Sequence, residues 1–487
     1  MELEPNGQFG DTRTIAIIGG GFSGSMLAVQ LLRLAPGIVP IVLIEPGPVP
    51  GRGVAYGTQW DGHLLNVRAS GMSAYADCPE HFVRWAQQNY SPTVKPEDFL
   101  PRQLYGRYIV SQLQQASASS PEQLHWIRDE AVSLAFAGGV THIGLSSGKK
   151  VRAGKVILAL GNFPPRDPAL SGKAANSARY ISNPWSPNET GVDINRDKSV
   201  LLIGSGLTSV DVVIQLRALG FKGTIHVLSR HGLLPQSHKA ADSYSPMWET
   251  KFPTTVRSLV RLIRRQVNFA ETQGADWRSV VDSLRPFTQE IWRNLPLTEK
   301  QRFLRHVRPY WEVHRHRIAE CLADQFALEI QTGQLRMDAG RIIEYREDHS
   351  GVEVSYRDRK CGKVVRMQVD RVVNCTGPDG DCRRVNSPLL TDLLNHGLAR
   401  VDGLSLGLDL DDDGALMDAQ GTPSNFLYAL GPLRKGKLWE SIAVPEIRVQ
   451  IAELAQLLTA TTETGMDPSL PTTANSGNGT CTFSSSI

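Results

Sequence analysis

Residues 13–18 (RTIAII) form a short apolar run of strand character, 19–24 (GGGFSG) a glycine-rich turn, and 25–34 a segment apolar at helical spacing. Residues 39–45 (VPIVLIE) then read as a second buried strand, which makes the order strand, turn, helix, strand. The same pattern returns at 199–203 (SVLLI), 204–209 (GSGLTS), a helical stretch 210–219 and a strand 224–229. Two further apolar runs, 155–160 before Gly161 and 371–376 before Gly377, look like strands rejoining a sheet. Between about 242 and 327 the chain is rich in helix formers and carries Trp248, Trp277, Trp292 and Trp311, four of its nine tryptophans, which predicts a helical insert with its own apolar contacts. A buried strand is expected at 425–431 and a helix at 445–458 with Pro445 in its first turn. The Thr, Ser, Gly and Asn of 459–487 predict a disordered tail.

The glycines carry the first chemical signal. Binding a pyrophosphate dianion needs backbone N–H groups at a helix N-terminus with no side chain in the way. In that reading Gly19 makes the tight turn, Gly21 admits the phosphate and Gly24 lets helix and strand pack closely. Glu45, 21 positions past Gly24 at the end of the second strand, then grips the ribose hydroxyls, and its charge favours a free diol over a 2′-phosphate. In the second turn Gly204, Gly206 and Ser209 take the three places. Arg230, 21 positions past Ser209, stands where an acid is missing. A guanidinium suits the 2′-phosphate of NADPH, yet it also stacks on the adenine of NADH, so the nicotinamide stays open.

Two sites of different preference imply a relay from a nicotinamide to a second redox cofactor, so FAD is expected in the first. The fold class expected is α/β, with two dinucleotide-binding Rossmann-like domains, the NAD(P) domain inserted in the FAD domain, and a helical insert. The expected boundaries are 12–165 and 371–458 for the two parts of the FAD domain and 196–370 for the NAD(P) domain.

Composition narrows the partners. Lys and Arg number 52 against 49 Asp and Glu, and this near balance opposes a nucleic-acid protein held by a basic face. No window approaches the ~18 consecutive apolar residues of a membrane span, and residues 1–12 lack the apolar core of a secretory signal. The cysteines, Cys78, Cys321, Cys361, Cys375, Cys382 and Cys481, include no C-x-x-C pair. Their scatter opposes a dithiol mechanism and a structural zinc site, and it suits a reducing cytoplasm. No metal constellation stands out, and oligomeric state is not legible.

Several strings resemble the FAD/NAD(P)-binding flavoprotein family that includes FAD-dependent urate hydroxylase and the L-aspartate N-monooxygenases. They are 51–57 (GRGVAYG), 63–69 (HLLNVRA) with 72–74 (MSA), Asp77 with Pro79, Phe82 and Trp85, 99–102 (FLPR) with Tyr105 and Gly106, 430–433 (LGPL), 438–441 (LWES) and 444–448 (VPEIR). The strings are spread over most of the chain up to Leu458. Pro432 departs from the wider class, where an Asp binds FAD after the strand and Gly431. FAD contacts there are expected through backbone and the helix at Pro445.

The resemblance implies a monooxygenase using NAD(P)H and O2 through a flavin hydroperoxide, with a small-molecule substrate. Urate, giving 5-hydroxyisourate, is the first substrate expected, and an L-aspartate-like amino acid hydroxylated on nitrogen is the alternative. A non-catalytic nucleotide sensor is the reading from another class. Asn66, soon after the ribose-binding strand, offers a donor and an acceptor beside the flavin ring, although an Asx turn explains it equally. Arg102 is expected to cover the FAD phosphates or to pair with an acid. Trp311, His314 and Arg315 supply a flat slot and a cation for substrate, with Trp311 and Arg315 on one helix face, or else form a solvated basic helix. His238 and Lys239 are further candidates for nicotinamide or substrate contact, or a solvated loop.

Overall fold

The computed structural model describes residues 8–168, 177–186, 196–239, 248 and 251–463. The start of the expected helical insert at 242–247 and the tail from 464 onward lie outside the described residues.

Strand Ile15–Ile18 is central in a six-stranded sheet ordered 415–417, 423–429, 155–158, 15–18, 41–44 and 124–127. All neighbours pair in parallel except 415–417 with 423–429. Both Ile15–Ile18 and Ile41–Ile44 are buried at every position, which is why they read as unbroken apolar runs rather than as alternation. Helix Phe22–Leu34 covers one face and packs on helices Arg102–Ser119 and Val444–Glu463 over a core that includes Met26, Leu31, Tyr105, Tyr108 and Ile451.

The second sheet has seven strands, ordered 364–369, 351–358, 335–348, 224–229, 199–203, 371–374 and 180–181. Helix Leu207–Ala218 follows strand Ser199–Ile203. Strand Arg371–Asn374, which the sequence places at the opening of the returning FAD part, pairs in parallel with Ser199–Ile203 instead. The chain rejoins the first sheet only at 415–417 and 423–429.

Both glycine-turn helices begin three residues earlier than expected, because Gly24 and Ser209 lie within the first helical turn. Between strands Thr224–Ser229 and Leu335–Asp348 of the second sheet run helices Val256–Thr272, Trp277–Ser283, Thr288–Asn294, Leu297–His306, Arg308–Arg315 and Glu320–Gln331. Their apolar cluster of Val256, Leu259, Trp292 and Leu295 closes on Trp439, which comes from the segment just before the C-terminal helix. That last helix, Val444–Glu463, runs five residues into the stretch expected to be disordered. No helix among the described residues is long and apolar enough to cross a membrane.

Candidate active site

In the first turn the glycines answer to different demands. Gly19 has φ +103°, and a Cβ there would lie 2.4 Å from the Ala159 carbonyl oxygen. At Gly24 it would lie 1.9 Å from the Gly19 oxygen. The fold itself therefore requires both. Gly21 is different: an added Cβ meets only Gly53 Cα, at an ordinary 3.6 Å. It is the N-cap of helix Phe22–Leu34 and supplies no side-chain cap, so the helix's first N–H groups stay bare for an anion. Glu45 stands over this turn, accepting from the Gly20 N–H at 2.6 Å and from the Gly47 N–H at 2.8 Å. Gly431, with φ +71°, closes the other side. Its N–H donates to Gln450 Oε1 at 3.1 Å, and a Cβ there would sit 3.0 Å from Ser23 Oγ.

The second turn repeats this division. Gly204 has φ +110°, and its Cβ would strike the Cys375 carbonyl oxygen at 2.4 Å, whereas nothing lies within 4 Å of one at Gly206. Ser209 is buried and its Oγ donates to the Gly206 carbonyl at 2.7 Å, tying the turn to the helix it caps. Arg230 is exposed at the end of strand Thr224–Ser229. Its carbonyl accepts from Arg359 Nη1 at 3.4 Å, so a second guanidinium stands beside it. Arg359 leaves strand Gly351–Asp358 and reaches this place only through sheet pairing, so spacing along the chain gave no sign of it. Partial burial, with Arg359 and Arg230 close by, holds His231 below its ordinary pKa.

Arg102 takes the second of its two expected roles, pairing with an acid. It donates to the Leu64 carbonyl at 3.0 Å and pairs at 2.8 Å with Asp211 of the second unit's helix, both side chains being largely buried. His63 adds to the joint by donating from Nε2 to the Asp211 carbonyl at 3.0 Å. Arg52, in the string 51–57, is a cation that borders the first turn. It is exposed and next to Gly53, which touches Gly21.

Asn66 and His238 meet: the His238 Nε2–H donates to the Asn66 carbonyl at 3.1 Å, and its ring lies 4.8 Å from that of Phe99. Burial, followed by Arg317, lowers the His238 pKa to about 4, so the ring is neutral. Trp311 and Arg315 share a face as expected. Trp311 Nε1 donates to Glu440 Oε1 at 3.3 Å, and Arg315 Nη2 lies 3.4 Å from Glu440 Oε2 and 3.5 Å from Glu446 Oε1. His314 is not with them. It turns edge-on to Trp277 at 4.7 Å and donates from Nδ1 to the Tyr310 carbonyl. Glu440 and Glu446 were missed as site residues, although both sit in the quoted strings 438–441 and 444–448.

Tyr105 Oη on helix Arg102–Ser119, Ser441 Oγ, and Glu446 Oε2 and Gln450 Nε2 on the C-terminal helix are buried with no hydrogen-bond partner, as are Arg285 Nη2 and Arg315 Nε beside Glu446. Buried polar atoms are rarely left so, and the set marks a place where a polar ligand could complete them. Among the described residues no disulfide occurs. Burial pushes the Cys382 thiol up to about 12 and Cys375 higher still, which leaves them poor nucleophiles. No group of residues suited to a metal ion occurs among the described residues.

Residues 16–163 match the family described as FAD-NAD(P)-binding. Comparison with curated proteins gives no match. Among solved structures the chain is similar to the ornithine N-hydroxylase of Kutzneria sp. 744, at 14% identity and a TM-score of 0.62 over 92% of this chain and 99% of that one. It is similar as well to L-lysine 6-monooxygenase from Pseudomonas syringae, at 17% and 0.62 over 92% and 99%. A bacillithiol disulfide reductase from Staphylococcus aureus shares the architecture at 12% and 0.55 over 93% and 99%. At these identities the likeness is one of fold, that of a flavoprotein with two dinucleotide-binding units.

Proposed function

We propose that the chain is an FAD-dependent monooxygenase that consumes NADPH and O2 and hydroxylates an amine nitrogen. The observation that carries the reading is the pair of bare helix N-termini at Gly21 and Gly206, whose missing side chains the protein's own packing does not demand. FAD would be held by Gly19, Gly21, Gly24, Glu45 and Gly431, with Arg52 beside the phosphates. The nicotinamide dinucleotide would be held by Gly204, Gly206 and Ser209. Arg230 and Arg359 together favour NADPH, because a 2′-phosphate dianion takes two guanidiniums where an adenine stack needs one.

Bound FAD supplies hydride acceptance and oxygen activation. The protein's share is to orient the partners, exclude water and hold the substrate. The overall balance is R–NH2 + O2 + NADPH + H⁺ → R–NHOH + NADP⁺ + H2O. Amine rather than urate is supported by the similar structures named as oxygenases, an ornithine N-hydroxylase and a lysine 6-monooxygenase. The disulfide reductase alternative needs a reactive dithiol, and the sequence has no C-x-x-C pair.

The test is oxygen uptake by purified yellow protein with NADPH or NADH, against L-lysine, L-ornithine, cadaverine, L-aspartate and urate. The expected result is NADPH oxidation stimulated by an amine, with hydroxylamine product and little peroxide. A colourless protein that binds NADPH without turnover would return the reading to a nucleotide sensor.

A further inference from the structure

We propose that Asp211, Arg102 and His63 are positioning residues that hold the second dinucleotide in register with the first for hydride transfer. This rests on the two-dinucleotide reading and goes beyond it, because none of the three lies in either glycine turn.

The joint is built on the helix that the second turn opens. Gly206 is the N-cap of helix Leu207–Ala218, and Asp211 stands in the second turn of that helix. Its carboxylate takes the Arg102 guanidinium at 2.8 Å, with 7% of the acid side chain and 15% of the base exposed. Arg102 Nε donates to the Leu64 carbonyl at 3.0 Å, and the Arg102 backbone N–H donates to the His63 carbonyl at 2.8 Å. His63 closes the circuit by donating from Nε2 to the Asp211 carbonyl at 3.0 Å. That tautomer leaves Nδ1 to accept from the Thr58 hydroxyl, 2.8 Å away. The two sides approach closely, since a Cβ at Gly62 would lie 2.8 Å from Ile214 Cγ2 on the same helix.

From this joint a line of close contacts runs to the first turn. Arg102 opens helix Arg102–Ser119. One turn further along, Gly106 passes the short helix Gly53–Tyr56, and a Cβ there would lie 2.5 Å from the Tyr56 carbonyl oxygen. Gly53, at the other end of the short helix, meets Gly21. Packed backbone and one buried ion pair thereby tie the two bare helix N-termini together. A second tie stands beside the first, the His238 bond to the Asn66 carbonyl. The strings 51–57, 63–69 and 99–102 with Gly106 thus share a use that phosphate binding by the glycine turns does not explain.

A buried ion pair contributes little net stability, because desolvation of both charges offsets their attraction, but it penalises every arrangement that parts the two charges. That is the property a positioning joint needs. Hydride transfer requires donor and acceptor in close, aligned contact, and a displacement of about 1 Å that originates far from the chemistry slows such a step about a hundredfold. Helix Leu207–Ala218 carries the second turn's N–H groups, so a shift of this helix moves a bound nicotinamide dinucleotide with it.

The experiment mixes FAD-loaded full-length protein with NADPH in the absence of oxygen and follows bleaching of the flavin by stopped flow, beside NADP⁺ titration and reduction by dithionite. Asp211→Asn, which leaves the Arg102 charge unmatched, should lower the limiting rate of reduction about tenfold or more while NADP⁺ affinity stays within about threefold of wild type. Dithionite, which needs no alignment, should bleach the variant as fast as wild type. His63→Leu, which keeps both charges, should show the same split and serves if Asp211→Asn does not fold. His63→Gln, whose amide N–H reaches the same carbonyl, should recover most of the rate. Unchanged reduction rates in the variants, or a loss of NADP⁺ affinity as large as the loss of rate, overturn the joint. If the variants show the split but wild type hydroxylates no amine, the oxygenase reading falls and the joint stands. A wild-type flavin that neither NADPH nor NADH bleaches sinks both.

Discussion

Replacing Gly206 by Ala separates ligand demand from folding demand. The residue has an ordinary φ of −85°, and the added methyl finds no protein atom within 4 Å, so the folded chain accommodates it without displacement. Any stability change should stay within about 1 kcal/mol, since an N-cap exchange of Gly for Ala carries only a modest cost. A pyrophosphate seated on the helix N-terminus meets the methyl directly and loses one charge-assisted N–H bond, about 1.5–3 kcal/mol. That corresponds to roughly a tenfold to hundredfold weaker dinucleotide. Gly204→Ala is the contrast, because φ +110° and a contact of 2.4 Å with the Cys375 carbonyl force the backbone to move. It should lower stability by about 1–3 kcal/mol. Titration with NADP⁺, beside a thermal melt of each variant, reads both quantities. If Gly206→Ala bound NADP⁺ within twofold of wild type, the second turn would hold no pyrophosphate and the relay between two dinucleotides would be lost.

Arg359→Ala should raise KM for NADPH by about tenfold or more and leave KM for NADH unchanged, since one charge-assisted contact to the 2′-phosphate disappears; equal effects on both nicotinamides would remove Arg359 from that site. Asp211→Asn strands Arg102, which is 15% exposed, beside a neutral amide and should cost about 3 kcal/mol in a denaturant melt. His81 and His238 are both held by burial near a pKa of about 4, against 6.5 when exposed. The unfolded chain thus takes up protons that the folded chain refuses, and stability should fall as pH drops from about 6.5 to about 4. Melts of a His81→Gln, His238→Gln variant should show a shallower fall over that window.

What the sequence made legible was local. Gly19, Gly21, Gly24 and Glu45 lie within one strand–turn–helix–strand unit, and each contributes through backbone conformation or through the end of a neighbouring strand, so spacing alone locates them. What it left hidden depends on partners far along the chain. Arg102 is 109 residues from Asp211, and the same guanidinium that suits a phosphate suits that carboxylate, so residue type could not choose between them. Arg359 arrives beside Arg230 across 129 residues, through the pairing of long strands whose register no short pattern encodes. The run 308–315 shows the boundary between the two cases. Helical periodicity put Trp311 and Arg315 on one face, and both reach Glu440. The same periodicity turns His314 about 100° away from Arg315, toward Trp277, so grouping all three as one site ignored the geometry that united the other two. The acids that receive that face were already present in the strings 438–441 and 444–448. Singling them out needed one fact that only the folded chain supplies: the insert's helix Arg308–Arg315 comes back onto the segment leading into the last helix, and sets Arg315 between Glu440 and Glu446.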